Sequence, residues 1–292
     1  MNQPKSPPNN SPKSIKSLFF SHKGKVADKW GSYLDVYEEE LAKYRQTKFP
    51  ILEIGVQNCG SLEIWAKYFY NSQKILGVDI VEGLKKLLFE DERIEILICD
   101  SNLLHKDYSN KFNYPIIIID DASHQSNDII NTFLTMFPLL RDGGLYVAED
   151  LCCSYWKEFN NKARMSSIAF FKLLADIINF EHWNQEEKNK QQIDVLTKKQ
   201  FEQLLDIKNS IKSVRFYNSM CFIEKIEQNS TNKIRTRVVV GEEAVLGFKA
   251  ENGQVISDLQ FNKRSFEFDD SDLTNKFNLR KLIKKFKQFV GF

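Results

Sequence analysis

The sequence is poor in the features that mark several common classes of protein. Its 292 residues include only five cysteines, an odd number, and none of them forms a CxxC pair. A disulfide framework and a cysteine zinc site are therefore not expected. No stretch approaches the ~18 consecutive apolar residues of a membrane-spanning helix. Residues 1–16 also lack the apolar centre of a signal peptide, so we expect a cytoplasmic protein.

Charge of one sign is not in excess either. The chain has 41 Lys and Arg against 39 Asp and Glu, which gives a net charge of +2. No basic stripe covers the central region, and this argues against nucleic acid as a partner. Apolar residues make up 42% of the chain and 23 residues are phenylalanine, which is enough for a sizeable core.

Short apolar runs alternate with helical patterns along most of the chain. This alternation predicts an α/β fold, with a mostly parallel sheet covered by helices on both faces. The predicted parallel strands are residues 51–55, 75–79, 94–100, 116–120 and 145–149. The predicted helices between and around them are residues 28–44, 61–70, 126–140 and 163–180. A hairpin of residues 214–216 and 220–223 is expected to complete the sheet.

Composition divides the chain into three segments. Residues 1–17 are rich in Pro, Asn, Ser and Lys and are predicted to be a disordered arm. Residues 18–227 form the main α/β domain, and residues 228–292 a small C-terminal appendage of strands and a helix whose role the sequence does not give. Residues 278–289 have the pattern of a basic amphipathic helix. Such a helix packs on its own protein, docks on a second copy or lies on an anionic membrane, in that order of preference here.

Carboxylates gather where two predicted strands end. Asp120, Asp121 and His124 follow the fourth strand, and Glu149 and Asp150 follow the fifth. Because the carboxyl ends of parallel strands meet at one edge of a sheet, these side chains can converge on a hard cation such as Mg²⁺. Histidine gains and loses a proton near neutral pH, so it can serve as a base there. The pattern favours an enzyme over a binding module.

The glycine loop after the first strand lacks the two common nucleotide-binding motifs. It is not a Walker A loop, because Gly60 is followed by Ser61 and a leucine, and it has no middle glycine of GxGxxG after Gly55. Asp79 ends the second strand, where an acid accepts hydrogen bonds from ribose hydroxyls. Asp100 ends the third strand, where it could border an adenine. Together these residues favour an adenosine-type ligand without phosphates.

These segments resemble class I S-adenosylmethionine-dependent methyltransferases. More narrowly, they are similar to the metal-dependent sugar O-methyltransferases of the macrocin and mycinamicin type, and the cephalosporin hydroxylase-like proteins share the pattern. The matching segments are residues 28–33, 52–55, 60–62, 77–80, 120–124, 149–150 and 154–156. The resemblance extends over about residues 22–225 and implies a Rossmann-like seven-stranded sheet of order 3-2-1-4-5-7-6, with strand 7 antiparallel. Ala122 departs from the family, which usually has glycine there.

The resemblance also implies a role for each candidate site residue. Asp121, Glu149 and Asp150 would be the ligands of Mg²⁺, and His124 would be the catalytic base. S-adenosylmethionine would be bound at the ends of the first four strands, by Glu53, Gly55, Gly60, Ser61, Asp79, Asp100 and Asp120. Within this set, Asp120 is expected to support the loop rather than to be a cation ligand.

Three functions stay open at the level of sequence. The leading one is an Mg²⁺-dependent O-methyltransferase for a sugar hydroxyl of a glycan or glycosylated metabolite. The second is an O-methyltransferase for a catechol-like or other vicinal-diol small molecule. The third is a non-catalytic binding or scaffold protein that retains the fold, and the intact acids beside His124 count against it. The expected partner is a small molecule or glycan, with homo-oligomerisation left open.

Overall fold

A computed structural model describes residues 13–104, 113–159, 164–183 and 196–230. The predicted basic helix at residues 278–289 lies outside the described residues, as do residues 1–12 of the predicted arm and most of the predicted appendage. The described residues contain the whole sheet and all of the candidate site residues.

A seven-stranded sheet forms the centre of the described part of the chain. Its strands are β1 Ile51–Ile54, β2 Ile75–Asp79, β3 Ile94–Ile98, β4 Ile117–Asp120, β5 Leu145–Ala148, β6 Ile211–Tyr217 and β7 Met220–Lys225. Their order across the sheet is β3-β2-β1-β4-β5-β7-β6. The first five strands are parallel, and β7 pairs antiparallel with both β5 and β6. This confirms the predicted fold class and strand order.

Helices pack against both faces of this sheet. Among the described residues they are α1 Ile15–Phe20, α2 Gly31–Leu41, α3 Gly60–Tyr68, α4 Ser126–Met136, α5 Ser167–Ile178 and α6 Lys198–Ile207. Short 3₁₀ turns, Ala42–Tyr44 and Phe137–Leu139, extend α2 and α4. In these ranges of the chain, no helix is both long and apolar enough to cross a bilayer.

Successive residues of each central strand pack into two different apolar layers. In β1, Leu52 and Ile54 belong to the layer that contains Phe133 of α4 and Phe170 of α5. Ile51 belongs to the opposite layer, formed with α1, α2 and α3. A sheet that is buried on both faces takes apolar residues at most positions, which is why the strands appear in the sequence as largely apolar runs. Glu53 in β1 and Asp120 in β4 are buried exceptions.

Two helices differ from the sequence prediction. Helix α1 begins at Ile15, inside the segment predicted to be a disordered arm. Ile15 is buried, and its backbone N–H donates to Glu38 Oε2 at 2.6 Å, so residues 15–17 belong to a packed helix rather than to a disordered arm. Helix α6 was not predicted; Thr197 and Gln200 form a reciprocal capping box at its start. Helix α1 has only six residues, and α6 has more polar than apolar residues, so both give weak sequence patterns.

Gly55 brings the loop after β1 against the loop after β4. Its φ of +85° lies in the left-handed region that favours glycine, and a Cβ added there would lie 2.2 Å from the backbone oxygen of Asp121. The Gly55 N–H donates to the Val78 carbonyl at 2.8 Å, and the Asp121 N–H donates to the Ile54 carbonyl at 2.9 Å. The ends of β1, β2 and β4 are therefore fixed to one another through backbone atoms.

We expect Gly55→Ala to lower the free energy of unfolding by about 1–3 kcal/mol, because it adds both a strained φ and a backbone clash. Gly31→Ala is the matched control, since a Cβ at Gly31 would meet no atom within 4 Å. That variant should be neutral or stabilising by about 0.5–1 kcal/mol. Urea denaturation measures both changes. Equal stability of the two variants would show that the contact at Gly55 does not constrain the loops.

Candidate active site

A cavity of about 900 Å³ opens at the carboxyl edge of the parallel strands. Its size suits a small-molecule ligand. The predicted site residues on its wall are Gly55, Ser61, Asp79, Asp100, Asp121, His124, Glu149 and Asp150. The other three candidates, Glu53, Gly60 and Asp120, are buried behind this wall. The predicted acidic residues and glycine-loop residues are thus brought together around one cavity.

Asp79 holds the glycine loop in place. Its Oδ2 accepts hydrogen bonds from the backbone N–H groups of Val56 at 3.0 Å and Gln57 at 3.2 Å. Its Oδ1 accepts from the Val81 N–H at 3.1 Å. On the next strand, Asp100 accepts from the Asn102 N–H at 2.8 Å and turns the chain there. The glycine loop is therefore pre-organised against the end of β2.

Glu53 and Gly60 support the glycine loop from behind. The Ser61 hydroxyl donates to Glu53 Oε2 at 2.6 Å, which joins the end of β1 to the first turn of α3. The Gly60 N–H donates to the Val26 carbonyl at 3.1 Å, and a Cβ at Gly60 would lie 2.1 Å from the Lys25 carbonyl oxygen. Only glycine permits this close approach of residues 25–26 to the start of α3.

Asp120 is buried in the sheet rather than exposed to the cavity. The Tyr146 hydroxyl donates to its Oδ2 at 2.7 Å. Burial raises the pKa of the Asp120 carboxyl to about 7, although the Tyr146 hydrogen bond opposes the rise. This placement fits a supporting role beneath the loop that carries Asp121.

Asp121, His124 and Asp150 form what we name the outer acidic cluster. Their ligand atoms all lie within 4.8 Å of one another. His124 Nε2 is 4.0 Å from Asp121 Oδ1 and 3.7 Å from Asp150 Oδ2. His124 and Asp150 have left-handed backbones, with φ of 56° and 51°. Such strained residues persist only where the surrounding structure holds them, and they are frequent at functional sites.

Glu53, Asp121 and Glu149 form the inner acidic cluster, and the ammonium group of Lys29 lies among them. Lys29 Nζ is 2.5 Å from Asp121 Oδ2, 2.8 Å from Glu149 Oε1 and 3.3 Å from Glu53 Oε1. The Lys29 side chain is only 3% exposed. Sequence reasoning gave Lys29 no role, although it lies in the matching segment 28–33 just before α2.

Burial and charge act against each other in the inner acidic cluster. Burial lowers the pKa of Lys29, but the charges of Glu149, Glu53 and Asp121 outweigh it and hold that pKa well above its ordinary value. Burial raises the pKa of each of the three carboxyls, and Lys29 opposes the rise. One ammonium thus compensates only part of three buried acids, so Lys29 keeps its proton while the carboxyls remain short of positive charge.

Helix α2 supplies hydroxyl donors to both clusters. Tyr33 and Tyr37 are four residues apart and therefore lie on one face of the helix. The Tyr37 hydroxyl donates to Glu149 Oε1, and the Tyr33 hydroxyl donates to Asp150 Oδ1 at 2.7 Å. The indole N–H of Trp30 also donates to Asp150 Oδ1, at 3.0 Å. Sequence reasoning did not assign these contacts.

The chemistry of this donor set fits a hard divalent cation. Asp121 belongs to both clusters, Glu149 to the inner and Asp150 to the outer, so the three predicted ligands meet at Asp121. Carboxylate oxygens are the ligands that Mg²⁺ prefers.

Comparison with known sequences confirms the resemblance. The chain is 30% identical over 214 residues to an 8-demethyl-8-alpha-L-rhamnosyl tetracenomycin-C 2'-O-methyltransferase of Streptomyces olivaceus, covering 68% of this chain and 52% of that protein. It is 31% identical over 173 residues to a demethylmacrocin O-methyltransferase of Streptomyces fradiae, covering 53% of this chain and 43% of that protein. The chain thus spans about half the length of these curated relatives. No protein-family model matches it.

Comparison with solved structures gives the same fold. MycE methyltransferase from the mycinamycin biosynthetic pathway, in complex with Mg, SAH and mycinamycin VI, aligns with a TM-score of 0.58 at 24% identity. The alignment covers 74% of this chain and 56% of that one. A second MycE structure, with Mg and SAH, aligns with a TM-score of 0.60 at 23% identity, over 75% of this chain and 56% of that one.

The hydroxyl of Tyr37 should contribute to stability through its hydrogen bond to buried Glu149. We expect Tyr37→Phe to lower the free energy of unfolding by about 1.5–3 kcal/mol, the usual value of a hydrogen bond to a charged group. Tyr155→Phe is the control, because Tyr155 is 74% exposed, and its change should stay within about 0.5 kcal/mol. Urea denaturation without divalent cations measures both, and a neutral Tyr37→Phe would contradict the assigned bond.

Proposed function

We propose that this chain transfers a methyl group from S-adenosylmethionine to a sugar hydroxyl of a glycan or glycosylated metabolite, with the help of Mg²⁺. The chain is a relative of the macrocin- and mycinamicin-type sugar O-methyltransferases. The observation that carries the proposal is His124 Nε2, within 4.0 Å of carboxylates of Asp121 and Asp150, on the wall of a cavity that the glycine loop also lines. The names of the relatives, and the Mg and SAH bound to MycE, support the cofactors.

The cavity wall supplies residues for the methyl donor. Gly55, Ser61, Asp79 and Asp100 line it and would contact S-adenosylmethionine, while Glu53, Gly60 and Asp120 hold that wall from behind. The sulfonium of this cofactor supplies the methyl group. Binding both substrates in one cavity would bring the acceptor oxygen close to the methyl group, and such proximity contributes much of a typical rate enhancement.

Asp121, Glu149 and Asp150 would hold the divalent cation, whose chemistry is to polarise an acceptor hydroxyl and lower its pKa. His124 then removes the proton at its Nε2. The carboxylates of Asp121 and Asp150, at 4.0 and 3.7 Å from this atom, stabilise the imidazolium that forms. Trp30 and Tyr33 fix Asp150 in position by donating to its other oxygen.

The two other functions considered from the sequence differ from this proposal in measurable ways. A catechol-type methyltransferase would use the same cation and base, and only its acceptor would differ. A non-catalytic scaffold would bind the cofactor without turnover. The cytoplasmic location, the oligomeric state and the membrane contact of residues 278–289 stay predictions.

His124 should be essential for turnover and dispensable for cofactor binding. We expect His124→Asn to reduce the methyl-transfer rate by roughly 10²–10⁴-fold, the usual contribution of a general base. Asparagine tolerates the left-handed backbone at this position, so the variant removes the imidazole without straining the loop. SAH affinity, measured by calorimetry, should stay close to that of the wild type.

His182→Asn is the matched control, because His182 pairs with Glu181 at 3.4 Å and does not line the cavity. It should retain full activity. A His124→Asn enzyme that turns over at the wild-type rate would remove His124 from the reaction.

Removal of divalent cations should abolish methyl transfer. The assay is a panel of rhamnosides, other hexosides and catechols with radiolabelled S-adenosylmethionine, before and after exhaustive EDTA treatment. We expect transfer to a glycoside, loss of that transfer after EDTA, and recovery on adding MgCl₂, because the acceptor hydroxyl depends on a cation for its acidity. Transfer only to catechols would favour the second function, and full activity after EDTA would rule out the cation.

A further inference from the structure

Lys29 stands out among the buried charges of the described residues because it contacts parts of the site that are distant in sequence. Its ammonium lies 2.5 Å from Asp121 Oδ2 and 2.8 Å from Glu149 Oε1. These partners follow it by 92 and 120 positions. A charged side chain that is 3% exposed is retained only where other groups compensate its charge.

Asp121 is shared between Lys29 and the outer acidic cluster. Its Oδ2 accepts from Lys29, and its Oδ1 faces His124 at 4.0 Å. Glu149 is likewise occupied, because Oε1 accepts from both Lys29 and Tyr37. Two of the three proposed cation ligands are therefore already engaged by the positive charge of Lys29.

Glu53 offers the ammonium a further position. Its Oε1 is buried without a hydrogen bond and lies 3.3 Å from Lys29 Nζ. Its other oxygen, Oε2, accepts from Ser61. A small movement of Nζ from Asp121 and Glu149 towards Glu53 would complete this contact and keep the lysine compensated.

We propose that Lys29 is the resident counter-cation of the inner acidic cluster, and that its ammonium competes with the divalent cation for Asp121 and Glu149. This inference rests on the proposed function in so far as these carboxylates bind a cation. Lys29 is thus a positioning residue: it keeps the carboxylates gathered until the divalent cation replaces it, and it weakens the affinity for that cation by its charge.

A variant without the charge of Lys29 distinguishes charge compensation of the inner acidic cluster from a role in packing alone. In Lys29→Met the three carboxylates of the inner acidic cluster lose their compensating charge. The variant should then unfold at a lower temperature without divalent cations and regain stability when they are added, since the cation is the remaining source of positive charge. Relief of charge repulsion should also strengthen Mn²⁺ binding by at least about tenfold.

The experiment measures Mn²⁺ affinity by calorimetry and melting temperature with and without MgCl₂, on the full-length chain. Lys29→Arg keeps the positive charge and should bind Mn²⁺ no more tightly than the wild type. Lys25→Met is the control, because it removes another partly buried lysine, paired with Glu63 at 2.9 Å outside the acidic clusters. It should lose stability that MgCl₂ does not restore, with its Mn²⁺ affinity unchanged.

The inference is overturned if Lys29→Met binds Mn²⁺ within twofold of the wild type or more weakly, or if MgCl₂ raises its melting temperature no more than that of the wild type. If Lys29→Met does not fold without divalent cations, folding in MgCl₂ supports the inference. If Lys29→Met folds in neither condition, Mn²⁺ affinity and melting temperature are measured on Lys29→Gln instead. This variant keeps a hydrogen-bond donor for the carboxylates, and the same outcomes support or overturn the inference.

Neither measurement involves methyl transfer. A chain that binds Mn²⁺ as described but methylates no acceptor would contradict the proposed function and leave the role of Lys29 intact. Absence of Mn²⁺ binding in the wild type and in both neutral variants would overturn the inference about Lys29.

Discussion

The geometry of the site depends on the contact between the loop after β1 and the loop after β4. Gly55 permits this contact, since its missing side chain lets the backbone of Asp121 approach. The glycine loop forms one wall of the cavity and the Asp121 loop forms another. The distance between the proposed cofactor site and the proposed cation site is therefore set by backbone packing rather than by side chains. Asp79 and Glu53 reinforce the arrangement from the two sides. A change in this backbone packing would displace the cavity-lining side chains that the two loops carry.

Much of the fold and part of the site could be predicted from the sequence. Strands buried on both faces are continuous apolar runs, and the carboxyl ends of parallel strands share an edge, so Asp121, His124, Glu149 and Asp150 were expected to meet. Lys29 could not be found in this way. Its two hydrogen-bonded partners, Asp121 and Glu149, are more than ninety positions away. A lysine before a helix is ordinarily a solvent-exposed residue, so no local pattern marks it as buried.

The same limit applies to the donors of α2. The spacing of Tyr33 and Tyr37 predicts that they share one helix face, but it does not predict what their hydroxyls contact. Only the tertiary structure shows that their hydroxyls end at Asp150 and Glu149. A buried tyrosine that donates to a buried carboxylate contributes both to the core and to the site, because its ring packs in the apolar layer while its hydroxyl offsets the lost hydration of the acid. Stability and function are therefore linked through helix α2.

The way in which each carboxylate is already bonded limits how it can bind a cation. Asp150 accepts Tyr33 and Trp30 on Oδ1, and Asp121 accepts Lys29 on Oδ2. The remaining oxygens, Asp150 Oδ2 and Asp121 Oδ1, are the two that face His124. While Lys29 stays on Asp121 Oδ2, each of these two acids offers a cation one free oxygen, and displacement of the ammonium would release the second oxygen of Asp121. A cation held by these acids would keep coordination positions for water and acceptor oxygens, since Mg²⁺ usually retains several waters in protein sites.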